Sequence, residues 1–360
     1  MRPLYRHILL LFAVIFLCGA CADESAVVVV ERLLDERFLA YSSGNQPGVA
    51  VMLIHNGEIQ LQKTYGQADI EQQTPITADT AFRLASVSKQ FSAMAILILQ
   101  EEGALRIDDP ISKYVPELAP YKNVTIRQIL LHTGGFPDYY DTIDTSLGMP
   151  TNADAADFLG EMAESQFAAG ERYEYSNAGY DMLGPVVEAA SGMPFAEFMR
   201  ERIFDELGMK SSLVRDHTLP DIQNRAFGYD PDADEFRLND AHPLNGIIGS
   251  GGVYSTLNDM YKWDQALHQE GLVSQDTLDL MFTAGQTNDG QSINYGLGWR
   301  TDRFKGHERL SHTGSWVGFR AYIGRIPDED FTLVMLSNRS DFRRRHHADE
   351  ISAAYLDAIQ

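Results

Sequence analysis

RLASVSKQF, residues 83–91, sets a lysine three residues after a serine at the head of an apolar run that continues to Leu99. A serine hydroxyl is a weak nucleophile near neutral pH and needs an adjacent group to take its proton. Lys89 stands one helical turn from Ser86, on the same face, so it can be that group if its surroundings keep it neutral. The S-x-x-K spacing also arises by chance, so its meaning depends on the rest of the chain. The run SVSKQFSAMAILILQEEG is apolar on nearly every side from Phe91 to Leu99 and stops near Gly103, which predicts a buried helix with Ser86 at its first turn. There the backbone N–H groups and the helix dipole favour developing negative charge.

On the N-terminal side, GVAVMLIHNGEIQLQKTYG (48–66) reads as two strands joined at Asn56-Gly57, preceded by the helical pattern VERLLDERFLAY (30–41). On the C-terminal side, VTIRQILLHTGGFPD (124–138) opens with Thr125 and Gln128 at capping-box spacing, and 154–214 alternates helical runs with Gly and Pro breaks. From about 291 the pattern turns to short β-rich runs, YGLGWR, FRAYIGRI and FTLVMLSN, before an amphipathic helix over 347–359. These readings predict an antiparallel sheet flanked by N- and C-terminal helices, with an all-α unit inserted in the α/β one. The expected division is 26–84 with 246–360 for the α/β domain and 85–245 for the helical domain. A formal net charge of -22 argues against nucleic-acid and anionic-lipid partners. The basic run FRRRHH (342–347) is expected to be solvated surface, because Asp349 and Glu350 follow it closely.

Residues 1–22 read as a secretory signal: the cationic MRPLYR, an apolar ILLLFAVIFL and a small-residue CGACA. The expectation is therefore an exported, periplasmic protein. Both cysteines, Cys18 and Cys21, lie in this segment, leaving the folded part without disulfides or Cys-based sites. Cleavage after Ala22 suits a soluble product. Cleavage before Cys21 resembles bacterial lipoprotein processing and is the favoured reading, with a lipid attached to Cys21 as the membrane anchor.

Two further stretches carry chemistry. YEYSNAGY (173–180) holds Tyr175 and Asn177 before a helix; a tyrosine can relay a proton and an asparagine can hold an amide carbonyl. LSHTGSWVGF (310–319) runs His312-Thr313-Gly314 into a strand whose small residues allow a substrate backbone to pair along its edge. The backbone N–H of Ser315 would there complete an oxyanion hole with that of Ser86. S-x-x-K, Y-x-N and H-T-G in this order resemble the serine β-lactamase and penicillin-binding protein superfamily. The likeness is to the branch of class C β-lactamases, D-alanyl-D-alanine carboxypeptidases, D-aminopeptidases and esterases, and it covers roughly residues 28–358 through FRLASVSKQFSAMAI, LLHTGGFPD, YSNAGYDMLG, GSGGVYSTLNDMYKW and GFRAYIGRIPDEDFTLVMLSN.

The resemblance implies a β-lactamase/transpeptidase-like fold and hydrolysis of an amide or ester through an acyl-enzyme, without cofactor or metal. Ser86 would be acylated, Lys89 would activate it, Tyr175 would share in proton transfer and Asn177 would orient the substrate amide. Class C β-lactamases usually have lysine where this chain has His312, as some D-peptidases of the branch do. A fixed cation is thus replaced by a group expected to titrate near physiological pH, which lowers the expectation of β-lactamase activity. Thr313 and Arg300 remain candidates for a substrate carboxylate. The substrate is expected to be a small molecule or peptide, cell-wall peptide included; a β-lactamase, or a penicillin-binding sensor acylated without turnover, are the alternatives. HERLSH (307–312) is not a zinc helix, because its histidines are five apart, and the G-x-S-x-G elbow is absent. His132 reads as structural.

Overall fold

The computed structural model describes residues 25–146, 148–215, 222–233 and 235–360. The signal segment and the proposed lipid site at Cys21 lie outside them.

A six-stranded antiparallel sheet organises the chain. Its strands are β1 (Val49–His55), β2 (Glu58–Tyr65), β3 (Arg300–Phe304), β4 (His307–Trp316), β5 (Phe319–Ile326) and β6 (Phe331–Ser337), in the spatial order β3-β4-β5-β6-β1-β2. The turn between β1 and β2 is the expected Asn56-Gly57 pair, both with positive φ (53° and 72°), the conformation a two-residue hairpin requires and these residue types tolerate. Strand β1 is apolar and buried at every position from Val49 to Ile54 because both faces of the sheet are covered. Val49, Val51 and Leu53 meet helices α1 (Ala26–Ser42) and α3 (Arg344–Ile359), whereas Ala50, Met52 and Ile54 face the main core, which helix α2 (Ser88–Glu101) shares and in which helix Leu257–Ala266 packs on β1.

The seam between the two ends of the chain is the β1–β6 pairing, in which Val49 lies opposite Ser337. Asn338, fully buried just beyond β6, locks it. Its Oδ1 accepts from Gly48 N at 2.7 Å, and its Nδ2 donates to the carbonyls of Gln67 (3.0 Å) and Phe227 (2.9 Å). The region between the sheet segments carries helices Asn152–Met162 and Leu183–Ser191, and short helices that include Ile126–Leu130, whose capping box by Thr125 and Gln128 is formed as the sequence predicts.

The FRRRHH expectation needs correction. Phe342 is buried against Phe38 (ring centroids 5.8 Å) and stacks on His347 (5.1 Å), and α3 begins at Arg344. Averaged charge concealed one apolar position on which the terminal helix docks.

Candidate active site

Ser86 sits in a single helical turn, Ala85–Val87, wedged between the short strand Phe82–Arg83 and α2. Phe82 and Arg83 pair with Ser255 and Tyr254, which fixes the turn from one side. Ala85 has φ 48°, a left-handed conformation that costs a non-glycine residue about 1–2 kcal/mol and that the surrounding pairing must hold in place. From the other side β4 presses against the turn. A Cβ on Gly314 would lie 2.1 Å from the Leu84 carbonyl oxygen, so only glycine permits this approach. Ser86 opens into a cleft lined by Asn177, Ser315, Arg83, Tyr140 and Trp316.

Lys89 lies behind the serine, fully buried, its Nζ donating to Asn177 Oδ1 at 2.8 Å and to the Ser250 carbonyl at 3.0 Å. The ammonium also stands 4.9 Å from the centre of the Tyr175 ring. Burial pushes its pKa from the ordinary 10.5 down to about 7; Arg300 adds to the fall and Asp181 opposes it. Near neutral pH a substantial fraction of Lys89 is therefore a free amine. Burial raises the Tyr175 hydroxyl to about 12, while its hydrogen bond with Ser86 and the charge of Arg300 hold it back from rising further. Tyr175 thus stays protonated near neutral pH, an O–H able to relay a proton rather than a standing phenolate.

Two residues that sequence reasoning missed support the lysine. Asp181 is fully buried and accepts from Tyr139 OH (2.7 Å), Tyr140 OH (3.0 Å) and Ser250 N (3.1 Å). Ser250 joins Asp181 and Lys89 through one residue, its N–H on the carboxylate and its C=O on the ammonium. Three donors favour the ionised carboxylate against the burial that raises its pKa. The available signal was an acidic residue inside YSNAGYDMLG, four positions after Asn177 on an otherwise apolar helical run.

His312 departs from expectation. It is buried on β4, away from the cleft lining, and its pKa falls well below the ordinary value because burial, Lys89 and Arg300 all penalise the cation. The contact between Nδ1 and the Thr313 carbonyl (2.9 Å) puts the proton on Nδ1, so Nε2 accepts from Tyr295 OH at 2.9 Å. His312 is thus a neutral brace for Tyr295 rather than a switch facing the substrate. Thr313 is half-buried next to it, and Ser315 reaches the cleft. Arg300, half-buried, lies over the rings of Tyr175 (5.3 Å) and Tyr295 (5.9 Å). His132 packs beneath Tyr175 at 4.3 Å and accepts from Ser176 N through Nδ1 at 3.1 Å, so it supports the Y-x-N turn from below. His307 pairs with Asp328, and the described residues contain no cluster of three or more potential metal ligands.

Residues 30–356 match the family model described as Beta-lactamase. The chain belongs to the beta-lactamase family. Among relatives in this family, penicillin-binding protein 4* of Bacillus subtilis is 34% identical over 307 residues, covering 81% of this chain and 68% of that one. The D-aminopeptidase of Brucella anthropi is 28% identical over 327 residues, 88% of this chain but only 59% of its own length, so this chain corresponds to part of that protein. Among solved structures, the octameric penicillin-binding protein homologue from Pyrococcus abyssi superposes with a TM-score of 0.80 at 28% identity, covering 92% of this chain and 77% of that one. The D-amino acid amidase from Ochrobactrum anthropi, solved with L-phenylalanine amide, gives 0.78 at 26% identity, covering 93% and 98%. The beta-lactamase-family fold thus extends across the described chain.

Proposed function

We propose that this protein is an exported serine hydrolase that cleaves an amide or ester through an acyl-enzyme on Ser86, of the D-peptidase or esterase type. The observation that carries the reading is Lys89: a fully buried lysine, one turn from a cleft-lining serine, whose pKa is brought to about 7. As a free amine it accepts the Ser86 proton, with the Tyr175 hydroxyl as relay, while Oγ attacks the substrate carbonyl. The developing oxyanion is received by the N–H groups of Ser86 and Ser315. Collapse expels the amine or alcohol, which takes the proton back from the Lys89–Tyr175 pair. Water then attacks the ester, its proton passing to the same pair, and frees the acid and Ser86.

The substrate class is drawn from D-peptides and related amides or esters, in keeping with relatives named as a D-aminopeptidase and a D-amino acid amidase. Arg300 and Thr313 are the candidates for a terminal carboxylate. A neutral His312 offers no cation to a β-lactam carboxylate, which favours this reading over antibiotic hydrolysis. Export rests on residues 1–22, and the lipid anchor on Cys21.

Intact-mass spectrometry of the leaderless protein and its Ser86→Ala variant tests the proposal, after exposure to a penicillin, a D-Ala-D-Ala peptide and p-nitrophenyl butyrate. Adducts or products with the wild type alone support Ser86 as nucleophile, and the fastest substrate names the branch. A stable adduct without turnover means a sensor. Equal reaction of the Ser86→Ala variant refutes the mechanism.

A further inference from the structure

Among the described residues, five arginines are more than nine-tenths buried: Arg83, Arg225, Arg309, Arg325 and Arg339. Four have a carboxylate within ion-pair distance, Arg225 with Asp240 (2.8 Å), Arg309 with Asp302 (2.8 Å), Arg325 with Asp264 (3.2 Å) and Arg339 with Asp341 (2.8 Å). Arg83 has none. A guanidinium cannot shed its proton to escape burial, so an unpaired one is costly to keep.

Its position is also specific. Arg83 stands three residues before Ser86 and forms part of the cleft wall. Nη1 donates to Asn245 Oδ1 at 2.8 Å, and the same oxygen accepts from Trp316 Nε1 at 2.7 Å, so the two cleft residues are fixed by one amide. The guanidinium carbon lies 5.9 Å from the rings of both Tyr254 and Trp316. Among the described residues Arg83 Nε has no hydrogen-bond partner, and the nearest polar group to the guanidinium besides Asn245 is the neutral Tyr254 hydroxyl. Asp240, the carboxylate whose charge reaches Arg83, is already engaged by Arg225. Leu244 and Ile247 supply apolar wall next to it.

We infer that Arg83 is an anion subsite of the acylation cleft, which receives a carboxylate carried on a short aliphatic stem by the substrate. This rests on the serine-hydrolase reading and narrows its substrate class to acidic acyl groups. The planar fork of arginine suits a carboxylate, and the aliphatic wall suits the stem. Bulk electrostatics oppose such a preference: a protein of net charge -22 repels anions, so an anion selected here is selected locally.

The test compares mono-p-nitrophenyl glutarate with its methyl ester, which has the same stem without the charge. The wild type is expected to show a kcat/KM at least about tenfold higher for the acid, with Arg83→Gln abolishing that ratio and Arg83→Lys retaining part of it. A wild-type ratio of one or less overturns the subsite while turnover of the methyl ester leaves the hydrolase reading standing; turnover of neither ester, without a Ser86 adduct, overturns both. A ratio that survives in Arg83→Gln also overturns it. If that variant fails to fold, inhibition of the wild type decides: free glutarate should compete with the methyl ester far better than glutaramide, and equal inhibition refutes the subsite.

Discussion

The tuning of Lys89 predicts how activity should follow pH. The fall from 10.5 to about 7 corresponds to roughly 5 kcal/mol in favour of the free amine. At pH 7 about half of the lysines are then competent, against ~0.03% for an unperturbed lysine, a difference of roughly a thousandfold in active enzyme. On the proposed mechanism the free amine is the active form, so kcat/KM should be level above this pKa and fall about tenfold per pH unit below it. Two charges that set the value can be removed singly. Asp181 favours the ammonium, so Asp181→Asn should move the acidic limb to lower pH. Arg300 disfavours it, so Arg300→Gln should move the limb to higher pH. Each displacement should be about one pH unit. The assay is kcat/KM for p-nitrophenyl butyrate from pH 5 to 9, a substrate with no carboxylate for Arg300 to bind. Tyr139, Tyr140, Tyr175 and Tyr180 remain protonated throughout this range, and burial holds the pKa of His132 and His312 well below the ordinary imidazole value. A limb that stays in place in both variants, or moves the same way in both, would show that Lys89 is not the titrating base.

Gly314→Ala should reduce kcat/KM by about 100-fold or more with the fold retained by circular dichroism, because the new methyl group meets the Leu84 carbonyl and forces β4 away from the nucleophile turn. Unchanged kinetics would mean that this contact does not set the site. Val317 occupies the first position of the two-residue turn between β4 and β5 at φ 44°, where glycine belongs. Val317→Gly should therefore stabilise the protein by about 1 kcal/mol, read as a higher midpoint in scanning calorimetry. Asn338→Ala should cost about 3 kcal/mol in urea unfolding, since it strips partners from Gly48 N and from the Gln67 and Phe227 carbonyls at once.

Local chemistry was readable in the sequence wherever it depends on neighbours along the chain. The Asn56-Gly57 hairpin, the Thr125–Gln128 capping box and the Ser86–Lys89 spacing each lie within a few residues, and the structure has them as the pattern suggests. What the pattern could not supply is set by distant segments. Asp181 matters because Ser250, almost seventy residues on, turns its amide toward it. His312 was expected to titrate near neutrality because its unperturbed pKa was the only one available; its burial and its proximity to Lys89 and Arg300 are tertiary facts. Arg83 stands in plain view in the first motif, but what sets it apart, the lack of an acidic partner among the described residues, is a tertiary property. Phe342 was lost in a basic run because average charge says nothing about one ring on one helical face.

The order of the sheet has a temporal meaning. Strand β1 is made early, yet its partner β6 comes near the end of the chain, and β4, which closes the cleft against the Ser86 turn, is synthesised only shortly before β6. Pairings this far apart form late, because the connecting loop must be closed before any contact rewards it. A partly made chain therefore holds Ser86 and Lys89 without the strand that presses on the nucleophile turn. On the proposed mechanism a chain stalled or truncated before β4 should form no acyl adduct on Ser86.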